Sequence, residues 1–577
     1  MAAARTPAWT AWLQRLVPPL LLLAGTLLLF AYLLRRFPYD GLYGVDGYAY
    51  YYQARALWEE MSGAPVRLYE LFSADGLQHW PVGYHLHIIA GFLLSGVGPD
   101  GGRVLTLVLA AFCPVLVYLI VQRLLSGSRM SGKGVLAVVA GLVAGALLPL
   151  NATFTRMGLS LMSDAPTAFW ALLSIYCFMR AAPLTDAGEA PVSVTPGVRN
   201  STFALAGFCM GMAVLTRYGS ALLLLPLLVY LLLASMPGER SHLPISSLRR
   251  NLKHVLWAMP TFLLALTPQA LYLLTHDPGT GAGDFLSSLN IANIFASTST
   301  SPDGNSTFEY PMIVFYLLSP LWHAQAGFYS LFFLPALVLG VAYLYLHKML
   351  RVLLFLLSWW VIPAVIYAAT PYQAHRFALI YLPAIAILIG CGTGYAVALL
   401  AGRIPRLAAR GGSGALRLPI HIHKTGMTAT LCTAVLILFV AGLVQCWNAV
   451  RDWTATHAAW QEEDRRLVAL VEQSVPSDTG VAGPPRAVTL GFSAPLYHYT
   501  QWPVLELYFA EPATLASFLA GPEPHIAVVP EESLAGQWSA TATGEHWRWL
   551  AANYSLERKG QQGIYTIYLI GGRVAGP

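Results

Sequence analysis

Apolar and polar positions along this chain alternate on the scale of whole helices. A helix of about 17–25 predominantly apolar residues is long enough to cross a bilayer. Candidate runs recur near 14–34, 103–122, 134–152, 165–181, 203–216, 219–236, 254–275, 327–346, 351–369, 377–401 and 426–447. The pattern therefore predicts about eleven transmembrane helices. The stretch 81–97 is shorter and carries His85 and His87, so it reads as an interfacial helix. Arg5 and Arg15 precede or open the first run, which lacks a clear small-x-small cleavage site and reads as a retained signal anchor.

Two polar connections are long, 36–102 and 276–326. The second is rich in Ser, Thr and Asn, a composition that suits a lid or binding loop over a membrane domain. After Trp447 the period changes. Residues 452–475 are amphipathic at helical spacing, and short strand-like runs at 487–492, 503–509, 525–530 and 563–570 then alternate with helical stretches at 511–520 and 532–552. The division expected is a membrane domain over 1–447 and a small soluble α/β domain over 448–577.

Composition sharpens this picture without altering it. Of 577 residues, 56% are hydrophobic and only 11% charged, with a mean hydropathy of +0.56. Soluble domains average about 25% charged residues, so the balance belongs to a polytopic membrane protein. The net charge of +6 has no nucleic-acid motif beside it and reflects basic cytoplasmic loops. All six cysteines fall in apolar segments, which argues against a disulfide framework.

Basic residues also orient the chain. With the N-terminus in the cytoplasm and 81–97 not spanning, eighteen Lys and Arg fall inside and eight outside before the tail. That bias follows the positive-inside rule and places both long loops and the C-terminal domain on the extracytoplasmic side.

No Asp, Glu, Lys or Arg sits at the centre of a proposed span, where ion-coupled transporters usually keep such groups. Ionisable residues gather instead at the outward ends: Asp46, Asp164, Arg217, His276, Asp277, His375 and Arg376. Asp46 stands in D-G-L-Y-G-V-D-G-Y-A-Y-Y-Y, among tyrosines that suit a membrane interface. Asp164, in S-D-A-P, fits a helix N-terminus, where a carboxylate is favoured locally, and equally an outward site. Arg217, in L-T-R-Y-G-S, is either a snorkelling residue at a hairpin or a guanidinium aimed at a phosphate. Arg376, beside His375 in P-Y-Q-A-H-R-F, repeats that choice. His79, His85 and His87 match no closed zinc pattern.

In their order, these motifs resemble the GT-C superfamily of membrane glycosyltransferases. They comprise the acidic first outward loop with Y-x-x-x-A-x-x-L, S-D-A-P, G-M-A-V-L-T-R-Y and R-F-A-L-I-Y-L-P-A-I-A. The likeness covers roughly residues 15–400 and is nearest to the protein O-mannosyltransferase and lipid A aminoarabinose transferase branch. It implies a GT-C-like helical fold and a hexosyl- or pentosyltransferase of the plasma (inner) membrane. The implied partners are a polyprenyl-phosphate sugar donor, an extracytoplasmic acceptor (protein, lipid or glycan) and membrane lipid.

The resemblance assigns catalysis to Asp46 and Asp164. It assigns substrate binding to Tyr50, Arg217, His375, Arg376 and His79, with a divalent ion shared by Asp46 and Asp164 as an option. The chain departs from the family pattern at Asp46-Gly47 and at His79-Trp80-Pro81, which bears on metal dependence and on the acceptor. The competing class is a transporter or flippase of lipid-linked sugars, which predicts ionisable groups or broken helices at the midplane.

Overall fold

A computed structural model describes residues 8–63, 81–125, 133–184, 196–235, 253, 255–275, 289–301, 304–321, 329–401, 426–476, 483–508 and 510–574. His79, one of the expected binding residues, lies outside them.

Each of the eleven apolar stretches is helical, but they are not equivalent. Among the described residues, seven helices are long and apolar enough to cross a membrane, and eight if a bent pair counts as one span. That pair, Val135–Leu147 with Ala152–Leu159, turns by 62°. The break falls at 148–151, where the Asn151 side chain caps the second helix by accepting from the Phe154 N–H. Helices Ala258–Leu274 and Leu331–Leu346 are shorter apolar rods. Asp164–Ala181 is helical over 18 residues but carries Asp164 in its first turn and Arg180 in its last. Of the about eleven spans expected, seven or eight thus meet that length and hydropathy among the described residues. Gly83–Ser95, at 13 residues, is too short to span by itself.

Small residues let the central helix Leu382–Leu400 sit against two neighbours. A Cβ on Gly392 would lie 1.8 Å from the Ala336 carbonyl oxygen, and one on Gly390 would lie 2.4 Å from that of Ala140. Backbones approach this closely only where side chains are absent, a common device of helix packing in lipid.

The helix Gly426–Gln473 runs for 48 residues. At about 1.5 Å per residue it is roughly 70 Å long, more than twice the hydrocarbon thickness of about 30 Å. Its apolar first half packs into the bundle core through Val435, Phe439 and Cys446, and its polar second half continues as a post toward the tail. The sequence pattern divides these halves near Trp447, whereas the backbone continues through them without interruption.

Beyond the post lies a five-stranded sheet in the order Val504–Glu506, Arg486–Thr489, His525–Val529, Tyr565–Arg573, Tyr554–Gln562. The first three strands are parallel and the last two antiparallel. The Tyr554–Gln562 strand has no counterpart in the hydrophobic pattern, because its sequence Y-S-L-E-R-K-G-Q-Q is that of an exposed edge. Leu467, Val468 and Val471 on the post pack into the sheet's buried face with Ile526, Val528 and Ile567. All six cysteines are buried and unpaired, as their apolar settings predict.

Candidate active site

The first connection folds back as a helix, Gly44–Met61. Gly44 adopts φ +54°, a left-handed conformation that glycine takes without strain, and this turns the chain into the helix two residues before Asp46. Tyr48, Tyr50, Tyr51 and Tyr52 are all buried between the Gly83–Ser95 helix and the Ser493–Thr500 helix of the tail. Tyr48 and Tyr52, although tyrosine suits a membrane interface, are thus packing residues here. Tyr43 is partly buried and lies against His457.

Asp46 and Arg376, 330 positions apart in the chain, form an ion pair with Oδ2 and Nη1 2.5 Å apart, each side chain 23% exposed. Asp164 and Arg217 form a second pair, with Asp164 almost fully buried. The two pairs are neighbours. Burial opposes the charge on Arg376, but Asp46 and then Asp164 more than offset this, so Arg376 is held protonated more firmly than an ordinary arginine. Phe377 joins the cations: the guanidiniums of Arg217 and Arg376 lie 4.9 and 5.8 Å from its ring centroid. Phe377 itself stacks on Tyr367 at 5.0 Å.

Local backbone explains why the arginines are available. Arg217 occupies an extended break (φ −159°, ψ 119°) between the Pro196–Thr216 helix and a 3-10 turn, Tyr218–Leu223. Arg376 is the second residue of another 3-10 turn, His375–Ile380. The approach to Arg376 is braced by the other long loop. Tyr316 donates its hydroxyl proton to the Tyr372 carbonyl at 2.6 Å, and its oxygen accepts from the Ala374 N–H at 3.0 Å. Gln373 donates to the Tyr310 carbonyl at 2.6 Å. Among its described residues, then, loop 276–326 braces Arg376, and none of them lines the cavity at Asp46.

Helix capping does not account for Asp164. Ser163 is the N-cap without a side-chain cap bond, and the Asp164 carboxylate accepts from Arg217 instead. Its second oxygen, Oδ2, is buried without a protein partner among the described residues. Tyr50 sits behind this pair, its hydroxyl 3.1 Å from Ser163 Oγ. Burial and the charge of Asp46 keep the Tyr50 phenol protonated well above its ordinary range. Tyr50 thus supports the carboxylates and does not line the cavity.

That cavity, of about 610 Å³, opens beside Asp46. Asp46, His375 and Arg376 line it together with Arg156, Trp460 and Asp464. Asp164, Arg217 and Tyr50 are not among its lining residues. Arg156, which the sequence shows only as an outward basic residue, lies 5.0 Å from the Tyr43 ring and 4.7 Å from that of Trp453. Phe377, Trp460 and Asp464 also escape sequence reasoning, although positions 457, 460, 461 and 464 share one helical face by their spacing.

A metal shared by Asp46 and Asp164 does not fit these groups. Each carboxylate is already held by an arginine, and no three His, Cys, Asp or Glu residues cluster among the described residues. His85 and His87 are buried in separate contacts, to Gln53 and to Gly83 and Trp170.

The tail is tied to the first loop around Asp40. Its N–H donates to Gln461 Oε1 at 3.1 Å, and its carboxylate lies 3.7 Å from His498 Nε2. The other ring nitrogen, Nδ1, is 2.8 Å from the Tyr52 hydroxyl. Burial lowers the His498 pKa, with Arg465 and Arg55 adding to it, and Asp40 only partly restores it. A histidine lowered on docking contributes stability above its free pKa of about 6.5, and that stability is lost as pH falls through it. Hydrogen exchange of 493–500, corrected for intrinsic rates, is expected to rise from pH 7.5 to 5.5 in wild type and much less in His498→Gln. Equal protection at both pH values would contradict this.

The chain matches the sequence model of the dolichyl-phosphate-mannose-protein mannosyltransferase family over residues 90–279. That segment holds Asp164 and Arg217 and excludes Asp46 and Arg376. No curated protein sequence matches the chain. Among solved structures, it resembles ArnT from Cupriavidus metallidurans bound to undecaprenyl phosphate, at 16% identity over 97% of this chain and 98% of that one, with a TM-score of 0.56. The apo state of the same protein gives 15% identity over 98% of both chains and a TM-score of 0.57. The archaeal oligosaccharyltransferase AglB from Archaeoglobus fulgidus, in complex with an inhibitory peptide and a dolichol-phosphate, gives 12% identity over 96% of this chain and 74% of that one, with a TM-score of 0.51. At these identities the likeness is one of fold, and the fold is that of the GT-C glycosyltransferases.

Proposed function

We propose that this polytopic GT-C-fold protein is a glycosyltransferase. It moves a sugar from a polyprenyl-phosphate donor to an acceptor hydroxyl on the extracytoplasmic side of the plasma membrane, with inversion. The observation that carries the reading is the paired arrangement of Asp46 with Arg376 and Asp164 with Arg217 around Phe377. The family match and the folds bound to undecaprenyl phosphate and dolichol-phosphate support it.

In each ion pair the closest contact to the carboxylate is made by the arginine's Nη1. The remaining N–H groups of the guanidinium fork suit a phosphate. In the reaction the acceptor oxygen bonds to the anomeric carbon, and the bond from that carbon to the phosphate oxygen breaks. The hydroxyl proton passes to Asp46. Polyprenyl phosphate leaves with the bonding electrons and one more negative charge, which Arg376 and Arg217 stabilise where it develops. Proton removal by a positioned base typically contributes about 10²–10⁴-fold. Arg156 adds a third cation on the cavity wall, and His375 lies beside Arg376. Residues 1–447 serve as the catalytic membrane domain and 448–577 as the soluble domain over the site.

The test is transfer from synthetic polyprenyl-phosphate sugars by the full-length protein in proteoliposomes. Arg376→Ala is expected to weaken donor binding by about tenfold or more, the equivalent of one lost charged hydrogen bond. Unchanged donor affinity would remove Arg376 from the phosphate site. Transport of the intact donor across the bilayer without cleavage would establish the flippase class instead.

A further inference from the structure

Part of the wall of the cavity that Asp46 and Arg376 line belongs to the polar half of the long helix Gly426–Gln473. His457, Trp460, Gln461 and Asp464, spaced i, i+3, i+4 and i+7, present one face to it. We infer that this face is the acceptor subsite and that the acceptor it takes is a neutral saccharide. The inference rests on the glycosyl-transfer reading above and names the substrate class for that site.

Two buried polar atoms carry the argument. His457 and Gln461 are each only 5% exposed. His457 Nδ1 lies 2.8 Å from the Trp453 carbonyl oxygen, which can only accept, so Nδ1 carries the proton. Nε2 of the neutral ring is then an acceptor, and it has no protein partner among the described residues. Gln461 places Oε1 on the Asp40 N–H, which fixes the orientation of its amide. Its Nε2 is a donor, likewise unpartnered. One turn of the cavity-lining helix therefore carries one unpartnered acceptor and one unpartnered donor, both buried within the wall. A sugar hydroxyl supplies the complement of both, since it donates one hydrogen bond and accepts others. Leaving such groups unpaired in a buried wall is costly, and this favours a ligand that pairs them.

The surroundings select among hydroxyl-bearing acceptors. Trp460 lines the cavity with 45% of its surface exposed, a flat apolar ring against which the C–H face of a pyranose can lie. Among the described residues, the acidic and basic side chains on the cavity wall, His375 and His457 aside, are Asp46, Asp464, Arg156 and Arg376, two of each sign, with burial pushing Asp464 up to about 6. Among these residues positive charge does not exceed negative, so with the donor's phosphate bound no excess remains to hold an anionic acceptor. In the transfer itself one saccharide hydroxyl attacks the anomeric carbon. It gives its proton to Asp46 and displaces polyprenyl phosphate, so no further reactant is needed.

The experiment uses full-length protein in proteoliposomes with polyprenyl-phosphate hexoses and pentoses as donors. The acceptors offered are neutral trisaccharides, a Ser/Thr-containing peptide, a phosphorylated glycolipid and water. Wild type is expected to prefer the neutral trisaccharides. Trp460→Ala and Gln461→Leu are expected to raise the KM for saccharide and to shift partition toward water, each by about tenfold, the loss of one ring contact or hydrogen bond. Trp460→Phe keeps a ring and is expected to recover most of the loss, which a misfolded protein would not. Preference for the peptide or the phosphorylated glycolipid overturns the inference and leaves glycosyl transfer standing. Unchanged partition in both variants overturns it too. If wild type neither transfers nor hydrolyses any donor, the glycosyltransferase reading itself fails.

Discussion

Asp46→Asn is expected to lower sugar transfer by about 10²–10⁴-fold, the usual contribution of a positioned general base. The substitution is nearly isosteric, and Asp46 is 23% exposed at the mouth of its helix, so folding is expected to survive. Donor affinity is the informative second readout. A neutral amide in place of the carboxylate no longer holds the Arg376 guanidinium by charge, which leaves that guanidinium free for phosphate. Affinity for polyprenyl phosphate is expected to stay level or tighten while turnover collapses. Full turnover in Asp46→Asn would exclude the base role; a parallel loss of binding and turnover would make Asp46 a structural partner of Arg376.

The second large effect concerns stability. Asp164 is 2% exposed and Arg217 15% exposed at their side chains. Removing one member of a buried ion pair strands the other, at a cost of about 3–5 kcal/mol. Asp164→Ala or Arg217→Ala is therefore expected to cut the yield of folded protein and its thermal stability in detergent sharply. Replacing both by apolar residues, Asp164→Leu with Arg217→Met, is expected to recover most of that stability, because no uncompensated charge remains. Transfer is expected to stay low in the double variant, since the second phosphate cation is gone. If the double variant recovers activity together with stability, the pair is scaffolding and Arg217 has no part in donor binding. If it remains as unstable as the singles, the pair's energetics differ from those of an isolated buried bridge.

These two expectations separate roles that look alike in sequence. Asp46 and Asp164 are both acids near helix starts, and the local pattern around Asp164 fits capping well. Only the contact with Arg217, 53 positions along the chain, shows what its side chain does. The tyrosines after Asp46 are a similar case. Tyrosine suits membrane interfaces, and nothing local distinguishes an anchor from the packed core that Tyr48, Tyr50, Tyr51 and Tyr52 form with the Gly83–Ser95 helix and the tail. Conversely, Arg217 was legible because it interrupts two apolar runs, and the backbone does break there.

By itself the sequence determined the membrane class, the positions of the apolar helices, most tail strands and the gathering of charge toward helix ends. These follow from periodicity and from the cost of burying charge in lipid, both local properties of a chain. The tertiary structure alone decided which acid meets which arginine, which loop braces Arg376, and that the tail helix supplies a wall of the cavity at Asp46. Those are contacts between residues tens to hundreds of positions apart. Hydrophobic spacing records which face of an element is buried, but not which partner buries it.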